Sequence, residues 1–180
     1  MAPRSGGNDV SDTLAVARYC LRCGGKLTTR RLKVIEPERL VCPVCAYVHY
    51  PDPKVAACVI CRVGEKVVLL RRGIEPSYGL WMFPGGFLDR GERLEDAAVR
   101  EAWEEINVQV RVERLLNVYS YAGHPVVVVV YVGDIVHGVP SAGDEAIEVR
   151  AFAPHEVPWA DLAFASTREA LREYFAIDDE

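Results

Sequence analysis

Gly86-Phe-Leu-Asp-Arg-Gly-Glu92-Arg-Leu-Glu-Asp-Ala-Ala-Val-Arg100-Glu101-Ala-Trp-Glu104-Glu105-Ile-Asn107-Val108 decides how this chain is read. From Leu94 to Ile106 it has the residues of a helix, and Asn107 suits the left-handed position that ends one. Glu101, Glu104 and Glu105 stand at i, i+3 and i+4, within a sector of about 100° on that helix. Like charges at those spacings repel, and the last two also meet the negative end of the helix dipole. Val99, Ala102, Trp103 and Ile106 are expected to anchor the opposite face. A packed helix that aims three anions at one spot predicts a divalent cation there, held by hard carboxylate oxygens.

Around this segment the sequence reads as alternating strands and helices. Lys54–Arg62 and Lys66–Arg71 are predicted strands joined by a turn at Val63-Gly64-Glu65. Gly73–Gly85 is a turn-rich loop with Pro76, Gly79 and Pro84. Val108–Tyr121, Pro125–Val136 and Glu145–Phe152 supply further strands, and Ser166-x-x-Glu169 is a capping box for a last helix reaching Phe175. The expected class is α/β (α+β), a mixed sheet sandwiched between helices.

Four cysteines precede this core as Cys20-x2-Cys23 and Cys42-x2-Cys45, the spacing of a zinc ribbon. Structural Zn²⁺ is expected there, with Arg30–Val34 and Glu38–Val41 as ribbon strands. A fifth ligand would contradict a tetrahedral site, so His49 is left as a hydrogen-bonding neighbour. Cys58-x2-Cys61 is different: it lies in a strand, where positions 58 and 61 point to opposite faces, and reads as core cysteine. The expected division is a flexible lead over residues 1–18, a ribbon over 19–50 and a main domain over 53–178, with Tyr50-Pro-Asp-Pro-Lys54 as a stiff connector.

Composition narrows the function. The 180 residues are 50% hydrophobic with a net charge of −5. Residues 1–50 carry 8 Lys/Arg against 4 Asp/Glu, and residues 51–180 carry 13 against 22. An acidic chain without a basic-aromatic array is a poor nucleic-acid partner. No apolar run approaches a membrane span, and the N-terminus lacks a signal-like apolar core, so a cytoplasmic protein is expected.

The spacing G-x5-E-x7-R-E-U-x-E-E-x-G-U, with U aliphatic, resembles the signature of the Nudix hydrolases. It is carried here by Gly86, Glu92, Arg100, Glu101, Ala102, Glu104, Glu105, Asn107 and Val108, with Asn107 in place of the usual glycine. The resemblance implies a Nudix fold and metal-dependent cleavage of a nucleoside diphosphate linked to another moiety, releasing a nucleoside monophosphate. It implies Glu101 and Glu105 as principal ligands of Mg²⁺ or Mn²⁺, Glu104 as a further or water-mediated one, and the Gly86 carbonyl as a completing group. Arg100 is expected to orient Glu101 or Glu92 by charge pairing, and Glu92 to tie the loop to the helix. Glu148 is the first choice for a downstream catalytic carboxylate and Glu145 the second. Arg71 and Arg72, at a strand end, read as phosphate contacts or equally as solvated arginines.

The ribbon in front resembles both the NADH pyrophosphatases and compact ribbon proteins acting on ADP-ribose and FAD. The proline- and tryptophan-rich stretch that marks NADH preference is missing at Asn117–Pro125, so ADP-ribose and FAD rank above NADH. Tyr78, Trp81, Tyr119 and Tyr121 read first as core or rim aromatics and second as base-stacking platforms. His124, between Gly123 and Pro125, reads as a loop histidine. A non-catalytic ADP-ribose sensor is the competing class, and the intact carboxylate pairs argue against it. A homodimer through the ribbon is compatible with catalysis.

Overall fold

The computed structural model describes residues 17–177. Most of the flexible lead expected over residues 1–18 lies outside them. Residues 17–53 with 122–125, and residues 54–121 with 126–177, form two compact units.

The first unit is a three-stranded antiparallel sheet, β1 (Thr28–Arg30), β2 (Arg39–Val41) and β3 (Val48–His49), in that order. Its first strand lies earlier than the sequence predicts, and the apolar Val34 and Ile35 are almost fully exposed. A local turn takes over there: Glu36 N donates to Lys33 O, and Lys33 Nζ reaches Glu36 Oε1 at 2.7 Å. Pro37 then supplies no backbone donor for a ladder.

The second unit is built on a seven-stranded mixed sheet. Its strands are β4 (Lys54–Val63), β5 (Lys66–Arg72), β6 (Trp81–Met82), β7 (Gly85–Phe87), β8 (Gln109–Ser120), β9 (Val126–His137) and β10 (Ala146–Phe152). The main path runs β10-β5-β4-β9-β8, with β6 paired to β5 and β7 to β4. Only β4 with β9 is parallel, from Lys54↔Val126 to Arg62↔Asp134; every other pairing is antiparallel. β4 and the centre of β9 are near-continuous apolar runs because helices cover both faces of the sheet.

Strand alternation sorts the core into two layers. Cys58, Ile60, Val67, Leu69 and Phe152 pack with Ala170 and Leu171 of α2 (Ala165–Phe175). Ala57, Val59, Cys61, Val68 and Leu70 pack with Ala98, Ala102 and Ile106 of α1 (Leu94–Ile106). Cys58 and Cys61 thus fall on opposite faces, as alternation requires. Each fully buried Leu or Ile in these layers contributes about 1.5–3 kcal/mol.

The capping box at Ser166 is not formed. α2 starts two residues earlier, with extended Phe164 at its N-cap and no side-chain cap, while Ser166 and Thr167 are buried within its first turn. No helix among the described residues is long and apolar enough to cross a membrane.

Candidate active site and metal centres

The acidic segment forms the helix its sequence promises, but turned about its axis. The buried residues of α1 are Ala97, Ala98, Ala102, Glu105 and Ile106, so Glu105 stands inside the packed stripe. Trp103, expected as an anchor, is half exposed, and Val99 is only partly buried. Small alanines line the buried face, letting the helix approach the sheet closely and carry a carboxylate in with it.

Two glycines of β7 receive these carboxylates. Glu105 Oε2 accepts a hydrogen bond from Gly85 N at 2.8 Å. A Cβ on Gly86 would sit 2.5 Å from Glu101 Cδ and Oε1, so only glycine leaves room for that carboxylate. Gly85 is equally constrained, since a Cβ there would fall 2.3 Å from Cys58 Sγ. The sheet register sets this geometry, with Gly85 opposite Cys58 and Gly86 opposite Ala57 on β4.

Arg100 balances the cluster from the other side. Its Nε donates to Glu92 Oε1 (2.9 Å) and its Nη2 to Glu92 Oε2 (3.0 Å) and the Phe87 carbonyl (3.2 Å). Nη1 reaches Glu101 Oε1 (2.7 Å) and Glu104 Oε2 (2.9 Å). Glu92 also accepts from Asp89 N at 3.1 Å, closing the loop onto the helix. One guanidinium thus offsets three carboxylates, and repulsion among them is smaller than the sequence spacing alone suggests.

Burial and charge set the protonation of the cluster. Burial, then Glu101 and Glu145, push Glu105 up to about 8, against the opposing pull of the Gly85 N–H and the charge of Arg72. Burial also raises Glu101, with Arg100 opposing. Hydrogen bonds from Arg100, then from Asp89 N, hold Glu92 below the usual carboxylate range.

The helix end is held by a loop that sequence reasoning did not single out. Asn107 is left-handed at φ 56° and ψ 36°. Its Nδ2 donates to Ser141 O (3.2 Å), Ser141 Oγ (3.3 Å) and Ala142 O (3.3 Å). Ser141 N and Gly143 N cap the carbonyls of Ile106 (3.1 Å) and Glu105 (2.9 Å). Gly143 is close-packed here, because a Cβ on it would lie 2.0 Å from Glu104 O.

The downstream carboxylates separate. Glu148 lies on β10 opposite Arg71, with Arg71 Nη1 3.9 Å from its Oε2. Glu145 precedes β10, its carbonyl accepting from Gly73 N at 2.7 Å, and its charge acts on both Glu101 and Glu105. The two arginines also differ. Arg71 is exposed and donates to Gly79 O, whereas Arg72 is only 8% exposed. Among the aromatics, Trp81 is core, edge-on to Phe152 at 5.0 Å. Tyr119 donates to Glu173 Oε2 at 2.8 Å, and Tyr121 packs in the same layer. Tyr78 alone of the four is largely exposed.

In the first unit the sulfurs of Cys20, Cys23, Cys42 and Cys45 all lie within 4.8 Å of one another. Two of the separations are 3.6 Å (Cys20–Cys45) and 3.5 Å (Cys23–Cys42), close to the ~3.8 Å edge of a tetrahedron with ~2.3 Å Zn–S bonds. Gly24 N donates to Cys20 O and Ala46 N to Cys42 O, forming the two knuckle turns. The backbone N–H of Cys45, assisted by that of Val44, lowers the Cys42 thiol to about 7, favouring the thiolate a metal needs. The donor set fits zinc, and His49 stands outside the four-sulfur cluster.

Both parts of the chain have counterparts in known proteins. The family model described as "NUDIX domain" matches residues 51–174, and a second, "Nudix N-terminal", matches residues 18–51. An ADP-ribose pyrophosphatase of Methanocaldococcus jannaschii is 34% identical over 161 residues, covering 83% of this chain and 91% of that protein. A NAD-capped RNA hydrolase NudC of Chromobacterium violaceum is 38% identical over 98 residues, and the match spans only 34% of that longer protein. The crystal structure of a NUDIX hydrolase from Nitrosomonas europaea superposes with a TM-score of 0.85 at 34% identity, covering 89% of this chain and 91% of that one. With the family's domain across most of its length and a full-length relative beside it, this chain belongs to the Nudix hydrolase family.

Proposed function

We propose that the protein hydrolyses the diphosphate bond of a nucleoside diphosphate linked to another moiety, with ADP-ribose or FAD favoured, using Mg²⁺ or Mn²⁺. The observation that carries this reading is Glu105, a carboxylate seated in the packed face of α1 that accepts a hydrogen bond from Gly85 N beside the Gly86–Glu101 contact. A carboxylate kept at that depth has a use for its charge. Glu101, Glu105 and, more exposed, Glu104 would hold the cation, with the Gly86 carbonyl beside them. A hard divalent ion supplies charge neutralisation on the diphosphate and acidifies a water.

The remaining chemistry belongs to the side chains. Arg100 fixes Glu101 and Glu104 so that their oxygens are preorganised. Water adds its oxygen to one phosphorus as the bridging P–O bond breaks, giving a nucleoside monophosphate and a second phosphorylated product. The proton would pass to a downstream carboxylate, with Glu148 on β10, 3.9 Å from Arg71, as the first choice and Glu145, whose carbonyl accepts from Gly73 N, as the second. Structural Zn²⁺ in the four-cysteine cluster would stabilise the first unit, and the highly exposed Leu21 and Val44 between the cysteine pairs support a homodimer through it.

The Methanocaldococcus relative supports ADP-ribose. The similarity to NAD-capped RNA hydrolases favours, as the second reading, an NADH-type dinucleotide. A panel of ADP-ribose, FAD, NADH and nucleoside triphosphates with Mg²⁺ or Mn²⁺, scored by AMP and phosphate release, tests both. Fastest AMP release from ADP-ribose or FAD supports the first, and faster turnover of NADH replaces it with the second. No turnover of any dinucleotide removes both.

A further inference from the structure

Arg72 ends β5 on the face that packs against α1. Val68 and Leu70, four and two residues earlier, join Ala102 and Ile106 in that layer. The residue is only 8% exposed, yet among the described residues its guanidinium forms no ion pair with a carboxylate. Its partners are neutral: Nε donates to Pro76 O at 2.8 Å, Nη1 lies 3.1 Å from Met82 Sδ, and the group sits 5.3 Å from the centre of the Phe164 ring. A buried guanidinium supported only by neutral acceptors leaves much of its desolvation cost uncompensated. Phe164 and the Pro76 carbonyl fix its orientation in advance. Its charge acts on Glu105, and the backbone of the next residue, Gly73, bonds to Glu145, so it borders the carboxylate cluster.

We propose that Arg72, held by Phe164, Pro76 and Met82, is the anion-gripping side chain of this site and binds phosphate oxygens of the substrate's diphosphate. A planar fork with fixed orientation suits two oxygens of one phosphate. It would also supply the counter-charge that the fold withholds from it. Arg71 lacks such a role, because it is exposed and already engaged with Gly79 O and Glu148.

This inference rests on the diphosphate reading above, and binding measurements separate the two. The probe is the non-hydrolysable α,β-methylene analogue of ADP with Mg²⁺, titrated by calorimetry into the full chain. Arg72→Met keeps the stem against Phe164 and removes the fork, and should raise Kd about 10- to 100-fold. Arg72→Lys, charged but without the planar pair of donors, should fall between. Melting temperatures of both variants report the fold. Wild-type affinity in Arg72→Met overturns the proposal, even if the enzyme hydrolyses ADP-ribose. Arg72-dependent affinity without turnover upholds it while the catalytic reading fails. Should Arg72→Met not fold, Arg72→Lys decides, and unchanged affinity in it refutes the grip.

Discussion

Gly86→Ala separates a defect in chemistry from a defect in folding. The added Cβ would meet the Glu101 carboxylate at 2.5 Å, where ordinary contact begins at 3.4 Å, so the carboxylate must retreat by about 0.9 Å. Ligand distances at a metal centre tolerate only about ±0.2 Å, and a misplacement of about 1 Å costs on the order of 100-fold in rate. The backbone is not asked to do anything unusual: Gly86 lacks a positive φ, and the atoms struck are the far end of a flexible side chain. The expected result is a loss in kcat of about 100-fold and a raised Mg²⁺ requirement, with a melting temperature within a few degrees of wild type. Gly85→Ala is the contrasting control. Its Cβ would lie 2.3 Å from Cys58 Sγ and 2.7 Å from Cys58 Cα, a backbone atom that cannot swing away, so stability should drop with activity. Steady-state kinetics over a Mg²⁺ series and calorimetric melting of both variants give the answer. Wild-type kcat and an unchanged metal midpoint in Gly86→Ala would refute the placement of Glu101 at the reacting centre.

Glu105→Gln should abolish most turnover and flatten a pH trend. Burial raises Glu105 to about 8 from an ordinary 4.5, so in EDTA its contribution to stability is full below pH 4.5 and fades as pH climbs through 8. Urea titrations from pH 5 to 9 should show that decline in wild type and a shallower one in the variant; parallel slopes would exclude Glu105 as its source. Removing zinc, by chelation or by Cys42→Ser, should unfold the ribbon, with one equivalent of zinc released per chain and detected colorimetrically. A ribbon that keeps its amide protection after stoichiometric zinc loss would contradict that dependence. Asn107→Ala should cost about 1–3 kcal/mol, since it forces alanine into the left-handed position and removes the Nδ2 contacts to the 141–142 loop; a neutral denaturation midpoint would show that the loop is not held there.

Much of this arrangement was legible in the chain itself. The α1 boundaries follow from its carboxylate and alanine pattern and from Asn107, which adopts the left-handed conformation its residue type favours. The paired CxxC spacing locates four sulfurs that the structure brings together. What escaped were residues whose polarity disguised their position. Glu105 was counted with the polar face because a carboxylate normally marks solvent, which moved the anchor to Trp103 and Val99. Arg72 continues the inward rhythm of Val68 and Leu70, so strand alternation alone could have placed it inside. The capping box at Ser166 failed for the opposite reason: the residue types suited a helix start, yet Ser166 and Thr167 are buried within the first turn, which Phe164 opens. The 141–143 loop has a weak local signal, and only tertiary contact gives Gly143 and Ser141 their work at the end of α1.

Arg100 would give the two proposed metal centres different dependences on supply. With a guanidinium already paired with Glu92, Glu101 and Glu104, and a proton available to Glu105, the acidic helix would have partial stand-ins whenever its divalent cation is scarce. The four ribbon sulfurs, gathered within 4.8 Å of one another, would instead depend on their cation for the shape of the unit around them. Scarcity of the first metal would idle the enzyme and leave the molecule whole, while scarcity of the second would leave it half built.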